Sequence, residues 1–171
     1  MKISIGKVPT FNERQVFMSQ VTSLPEGAII RRARVKRDRT SQEALNATGR
    51  GQYINQDVLA TATPSGTDEE VEMVFIPLSS CMSNAEVEEL IPANFRPADL
   101  WELAAVNEDD PTFADQYRNF THWKITGDKV WRWVVFGNWI GKQNVLVSRN
   151  DVIVLGDGWW VAVVREEQKQ D

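Results

Sequence analysis

Cysteine and histidine each occur once, as Cys81 and His122. One cysteine excludes an internal disulfide and a thiolate zinc cluster, and one histidine excludes a multi-histidine metal site. No apolar run approaches the ~20 residues a membrane helix needs, so no membrane partner is expected. The opening run Met1-Lys2-Ile3-Ser4-Ile5-Gly6 lacks the apolar core of a secretory signal. A cytosolic protein is the natural reading, and the sequons Asn46-Ala47-Thr48 and Asn119-Phe120-Thr121 carry no meaning there. Neither a GxxxxGK[ST] loop nor a strand-linked GxGxxG is present, so no nucleotide-phosphate cradle is expected. Cys81 and His122 lack the flanking signature of a nucleophile–base pair. No catalytic residue, metal or cofactor is assigned.

The chain does have charge asymmetry. Its 171 residues, 42% hydrophobic and 25% charged, suit one domain, and the net charge is −5. Residues 1–65 hold ten Lys/Arg against five Asp/Glu, whereas residues 66–119 hold two against thirteen. A compact basic patch can attract polyanions on an acidic protein, because the local field governs encounter. The acidic middle is expected to face away from such a ligand or to contact a protein partner.

Composition divides the chain into a basic β-rich part (1–80), an acidic helical connector (81–120), a Trp-rich antiparallel meander (121–165) and a polar tail (166–171). The fold class expected is α+β, a predominantly antiparallel sheet with a few short helices in the middle. A strand over Lys2–Val8 and a helix from Phe11 to about Thr22 come first, the helix opened by the capping box Thr10-Phe11-Asn12-Glu13. A strand follows after Pro25-Glu26-Gly27, and six of its residues from 31 to 39 are basic. Ile29, Ala33 and Val35 share one parity, while Ile30, Arg32, Arg34 and Lys36 hold the other. Such a strand buries one face and shows a ladder of cations on the other; the plainer reading is an edge strand whose charges block pairing.

Residues 40–56 read as a long mobile loop. Asp57–Thr63 and Glu69–Leu78 read as a hairpin across Pro64-Ser65-Gly66-Thr67. Ser83-Asn84-Ala85-Glu86 is a capping box for a short helix, Pro97 stands at the first turn of a helix over Ala98–Val106, and Asp110-Pro111 starts another. Six of the seven tryptophans then fall between His122 and Arg165. Turn signals at Thr126-Gly127-Asp128, Gly137-Asn138, Ser148–Asp151 and Gly156-Asp157-Gly158 cut this stretch into four or five strands. Both parities of Lys129–Phe136 carry aromatic rings, so this strand is covered on both sides or half covered by a ligand.

Cations and flat rings together are what unpaired nucleic acid requires: charges for phosphates and rings on which bases stack. The candidate phosphate-binding residues are Arg31, Arg32, Arg34, Lys36, Arg37 and Arg39, with Arg50 in the loop. Lys124 and Arg132 lie among the tryptophans, and Tyr53 is a stacking candidate that could equally face a core. The tryptophans have the same two readings, a stacking platform or the filling of a small core.

The runs His122-Trp123-Lys124 and Gly158–Arg165, with Asp99–Asn107 and Phe113-Ala114-Asp115, resemble small proteins of tailed phages and prophages. From Pro97 onward the chain is similar to the single-stranded-DNA-binding RNA-polymerase cofactors of N4-like phages. The resemblance implies preferential binding of unpaired DNA in the host cytoplasm and a role in phage replication or in bringing a phage RNA polymerase to opened template. It also implies a fold other than the usual oligonucleotide-binding barrel. The expectation is thus a non-enzymatic single-strand DNA-binding protein of low sequence preference, with homo-oligomerisation left open. The alternatives are a structural or protein–protein interaction module, and a metal-dependent nuclease using Asp109 and Asp110.

Overall fold

The computed structural model describes residues 23–150 and 156–166. The strand expected over Lys2–Val8, the helix expected from Phe11 and most of the polar tail lie outside the described residues. Eight strands form one sheet: β1 (Ile29–Arg34), β2 (Gly51–Ile54), β3 (Glu70–Pro77), β4 (Phe95–Pro97), β5 (Arg118–Trp123), β6 (Trp131–Trp139), β7 (Lys142–Asn150) and β8 (Trp159–Arg165). Their order is β1-β3-β8-β5-β6-β7-β2, with β4 also on β8. All pairs are antiparallel except β2 with β7 and β5 with β8. The protein is therefore α+β with an open, mostly antiparallel sheet and not a closed barrel.

Among the described residues five short helices accompany it: α1 (Ser41–Ala47), α2 (Gln56–Leu59), α3 (Asn84–Leu90), α4 (Leu100–Asp109) and α5 (Phe113–Gln116). Three begin in capping boxes, Thr40 with Glu43, Ser83 with Glu86 and Asp99 with Glu102. In each box a side-chain oxygen accepts a backbone N–H of the first turn and the acid three residues on accepts the cap's own N–H.

The loop expected over 40–56 is instead α1, β2 and the start of α2. Its local polarity conceals Ala44 and Leu45, which are buried in the core. The hairpin expected between Asp57–Thr63 and Glu69–Leu78 does not form. Asn55 caps a helical turn at 56–59, and β3 pairs instead with β1 and β8. Pro97 ends β4, and the following helix starts after its Asp99 cap. Only β5, β6 and β7 run as a continuous meander, because β8 returns between β3 and β5. Gly137 and Asn138 lie inside β6, and residues 148–150 inside β7.

The sheet has two covered faces. Helices α1, α2, α4 and α5 bury the first, where Ala33, Met73, Phe75, Phe136 and Val147 meet Leu45, Leu59, Leu103 and Phe113. The second face holds Val74, Val163, Phe120, Trp133 and Val135, and among the described helices only α3, through Val87, joins that cluster. Residues 132–137 of β6 are buried between the two faces, whereas Trp131 and Trp139 at its ends are only partly buried.

Candidate nucleic-acid interface

Strand alternation places the chemistry on the second face. Arg32 lies opposite Glu72 two residues before Val74, so Arg32 and Arg34 share the face of Val74. Arg118 and His122 flank Phe120 on β5, and Trp131 and Trp139 flank Trp133 and Val135 on β6. Lys142 stands opposite Trp139, and Tyr53 opposite Leu146. One face therefore carries both the cations and most of the tryptophans.

The ten residues singled out from the sequence fare differently. Arg32 and Arg34 are exposed (side chains 83% and 74%) and pair with Glu72 at 2.9 Å and Glu69 at 3.5 Å. Lys36 and Arg39 share Glu108, at 3.5 Å and 2.6 Å. The exposed Arg32 and Arg34 pairs contribute about 0–1 kcal/mol each, so a phosphate can exchange for the carboxylate there. Arg37 is sunk in a cluster with Asp99 (2.7 Å) and Glu102 (2.8 Å), whose second arginine is Arg96. Arg50 has no exposed side-chain surface and donates to the Gly137 and Pro111 carbonyls, and burial lowers its pKa. Arg132 is buried against Asp128 and the Val130 carbonyl, and Arg31 lies over the Phe113 ring at 4.6 Å on the first face. Breaking a buried ion pair costs about 3–5 kcal/mol, so Arg37 and Arg50 belong to the fold and not to a ligand. The acidic middle does not face away: Glu69, Glu72, Asp99, Glu102 and Glu108 are the partners of the basic strand.

Two further cations, Arg118 and Lys124, sit on rings. The Arg118 guanidinium lies 5.3 Å from the Trp139 ring centre and 5.0 Å from that of Trp159, and Trp159 stacks on Trp133 at 5.6 Å and 6°. Lys124 lies 4.5 Å over Trp131, which also stacks on His122 at 4.4 Å. Tyr53 is 61% exposed and lines a 360 Å³ groove with Trp139, Ile140, Lys142, Asn144 and Leu146. Trp133 and Trp101 are core, whereas Trp131, Trp139 and Trp159 are half-buried. Tyr53 on β2 and the β1 ladder stand at opposite edges of the sheet: six strand steps of about 4.8 Å separate β1 from β2, roughly 29 Å. Arg118 was missed in the sequence because it falls just before the Trp-rich stretch, though its place two residues before Phe120 gives it the same parity.

The groove ends at an unusual turn. Ile140 and Gly141 join β6 to β7 with φ of 55° and 69°, the two-residue type I′ geometry. A β-branched residue there is strained by about 1–2 kcal/mol, and Ile140 is 99% exposed and gains no burial in return. Ile140→Asn is expected to raise the free energy of urea unfolding by about 1 kcal/mol. A loss of stability would show that the turn is not under strain.

Asp110 accepts hydrogen bonds from the Thr112 N–H and hydroxyl. Among the described residues no three His, Cys, Asp or Glu side chains gather as a metal site, and no helix is long and apolar enough to cross a membrane. Comparison with known proteins found no matching family model, no matching curated protein and no matching solved structure.

Proposed function

We propose that the protein binds single-stranded DNA with little sequence preference, without catalysis, through the aromatic platform on the second face of the sheet. The observation that carries this is the set of cations held against half-buried indoles beside an exposed tyrosine: Arg118 on Trp139 and Trp159, Lys124 on Trp131, and Lys142 next to Tyr53. Bases stack on the rings while the ammonium and guanidinium groups meet the phosphates, each base contributing roughly 1–3 kcal/mol. The exposed Arg32 and Arg34 extend the positive field at the other edge. The resemblance to phage polymerase cofactors extends the proposal to presenting opened template to a phage RNA polymerase, or to replication.

The test is a gel-shift series with single- and double-stranded DNA at two salt concentrations. Tighter retention of the single strand, lost as salt rises, is expected; equal retention of both forms, or none, rejects the proposal. If Arg32 and Arg34 touch phosphates, replacing both by glutamine should flatten the log–log salt dependence for single strands by about 1.4, from two contacts at roughly 0.7 each. An unchanged slope would remove β1 from the interface.

A second reading, a docking face for another protein, is favoured by one observation. Arg32 and Arg34 on β1, and Lys36 and Arg39 just beyond it, already have carboxylate partners, so the charge asymmetry of the sequence is largely neutralised inside the fold.

A further inference from the structure

Apart from the groove beside Tyr53, a 580 Å³ cleft is bounded by α3, β4, the start of α4 and the ends of β5 and β6. Its volume falls within the range of about 300–1,000 Å³ typical of small-ligand pockets. Trp123, Trp131, Ala85 and Pro97 supply flat or apolar wall, and Glu88 and Lys124 supply opposite charges.

Glu88 is held in a defined position. The His122 ring, fully buried, has Nδ1 2.9 Å from the Asn84 side-chain oxygen and Nε2 2.8 Å from Glu88 Oε1. A carboxylate can only accept, so Nε2–H donates to Glu88. The Asn84 side-chain oxygen at Nδ1 holds the ring from its other side. This fixes one carboxylate oxygen. The other has no protein partner among the described residues, while the side chain stays partly exposed and lines the cleft.

We infer that this cleft takes one unstacked base bearing an exocyclic amino group, with the amino N–H donated to Glu88, the ring against the indole wall and the adjoining phosphate at Lys124. The inference rests on the single-strand reading and adds to it a preference at one position. Cytosine offers an N4 amino donor to a carboxylate, whereas thymine turns its O4 lone pairs toward it. Both rings are pyrimidines, so stacking hardly separates them and the carboxylate does. The platform around Tyr53 stays indifferent to sequence, because every base has a π-face.

The experiment is a fluorescence-anisotropy titration with dC and dT homopolymers of equal length, on wild type, Glu88→Gln and Lys124→Gln. Wild type is expected to bind dC about tenfold more tightly than dT, the lower end of discrimination by a base-edge contact. Glu88→Gln should bring the two within about twofold, since a carboxamide offers a donor to thymine O4 as readily as an acceptor to cytosine N4. Lys124→Gln leaves α3 and His122 untouched, and should weaken both homopolymers while keeping their ratio. Equal wild-type affinities, or a dC preference that survives Glu88→Gln, overturn the inference and leave the platform standing. If neither homopolymer binds at all, the single-strand reading falls and this inference with it.

Discussion

Replacing Glu102 by alanine is expected to destabilise the protein by about 3–5 kcal/mol, the cost of stripping one partner from a buried ion cluster. Its carboxylate has no solvent exposure and receives Arg96 at 2.8 and 2.9 Å, Arg37 at 2.8 Å and the Asp99 N–H at 2.8 Å. Without it, Arg96 keeps only the Pro97 carbonyl and the Ser65 hydroxyl, and Arg37 keeps Asp99 and the Asp68 carbonyl. The backbone at Gly66 closes over the same cluster. A Cβ built there would stand 2.5 Å from Arg96 Nη2 and 2.7 Å from Glu102 Oε1, so only glycine fits while the cluster is intact. Urea denaturation of Glu102→Ala checks the figure, and a change below about 1 kcal/mol would mean that the arginines find water or other partners easily.

The same carboxylate makes stability depend on pH. Burial pushes its pKa up, but hydrogen bonds from Arg96, the Asp99 N–H and Arg37, with the Arg96 charge, outweigh burial and hold it below its ordinary 4.5. A group with a depressed folded pKa stabilises fully above its unfolded value and loses that contribution as pH falls through the folded one. The stability gap between wild type and Glu102→Gln should therefore narrow as pH drops below about 4.5. Glu108, held down chiefly by its hydrogen bond from Arg39, adds a smaller loss in the same window.

The second large effect is on binding. Tyr53→Ala combined with Trp139→Leu removes two rings of the platform, at roughly 1–3 kcal/mol per stacked base. Affinity for an unpaired oligonucleotide should fall at least ~30-fold, the equivalent of about 2 kcal/mol. Folding should suffer much less, since Tyr53 is largely exposed and Trp139 half-buried. Anisotropy titration of the double variant reads the loss, and an affinity within about threefold of wild type would mean that bases stack elsewhere. Together the two variants would separate the roles of the charged and aromatic residues, with Glu102 expected to govern stability and the proposed platform to govern binding.

What the sequence discloses follows from how local each signal is. The alternation in Ile29–Arg34 and the capping box at Ser83 lie within a few residues, and both elements form, although the strand expected to run on through the basic residues to Arg39 ends at Arg34. Thr40-Ser41-Gln42-Glu43 carries an equally local capping box, masked by the small polar residues around it. Ile140 hides its turn because β-branched residues disfavour the left-handed region, so Gly137-Asn138 looks the better signal. The pairings that decide the site are not local at all. Arg37 meets its acids 62 and 65 residues away and Arg39 meets Glu108 at 69, contacts that no window along the chain can see. A charge count by segment therefore overstated the free positive charge of β1. The insertion of β8 between β3 and β5, which brings Trp159 beside Arg118, is equally non-local.

The central claim is that unpaired bases stack on the half-buried indoles of one sheet face. Tryptophan emission followed during addition of poly-dT at ~50 mM salt tests it directly. The account predicts saturable quenching, reversed by raising the salt and much reduced in the Tyr53→Ala, Trp139→Leu variant. Emission that neither quenches nor shifts would contradict it and leave those tryptophans with a purely architectural role.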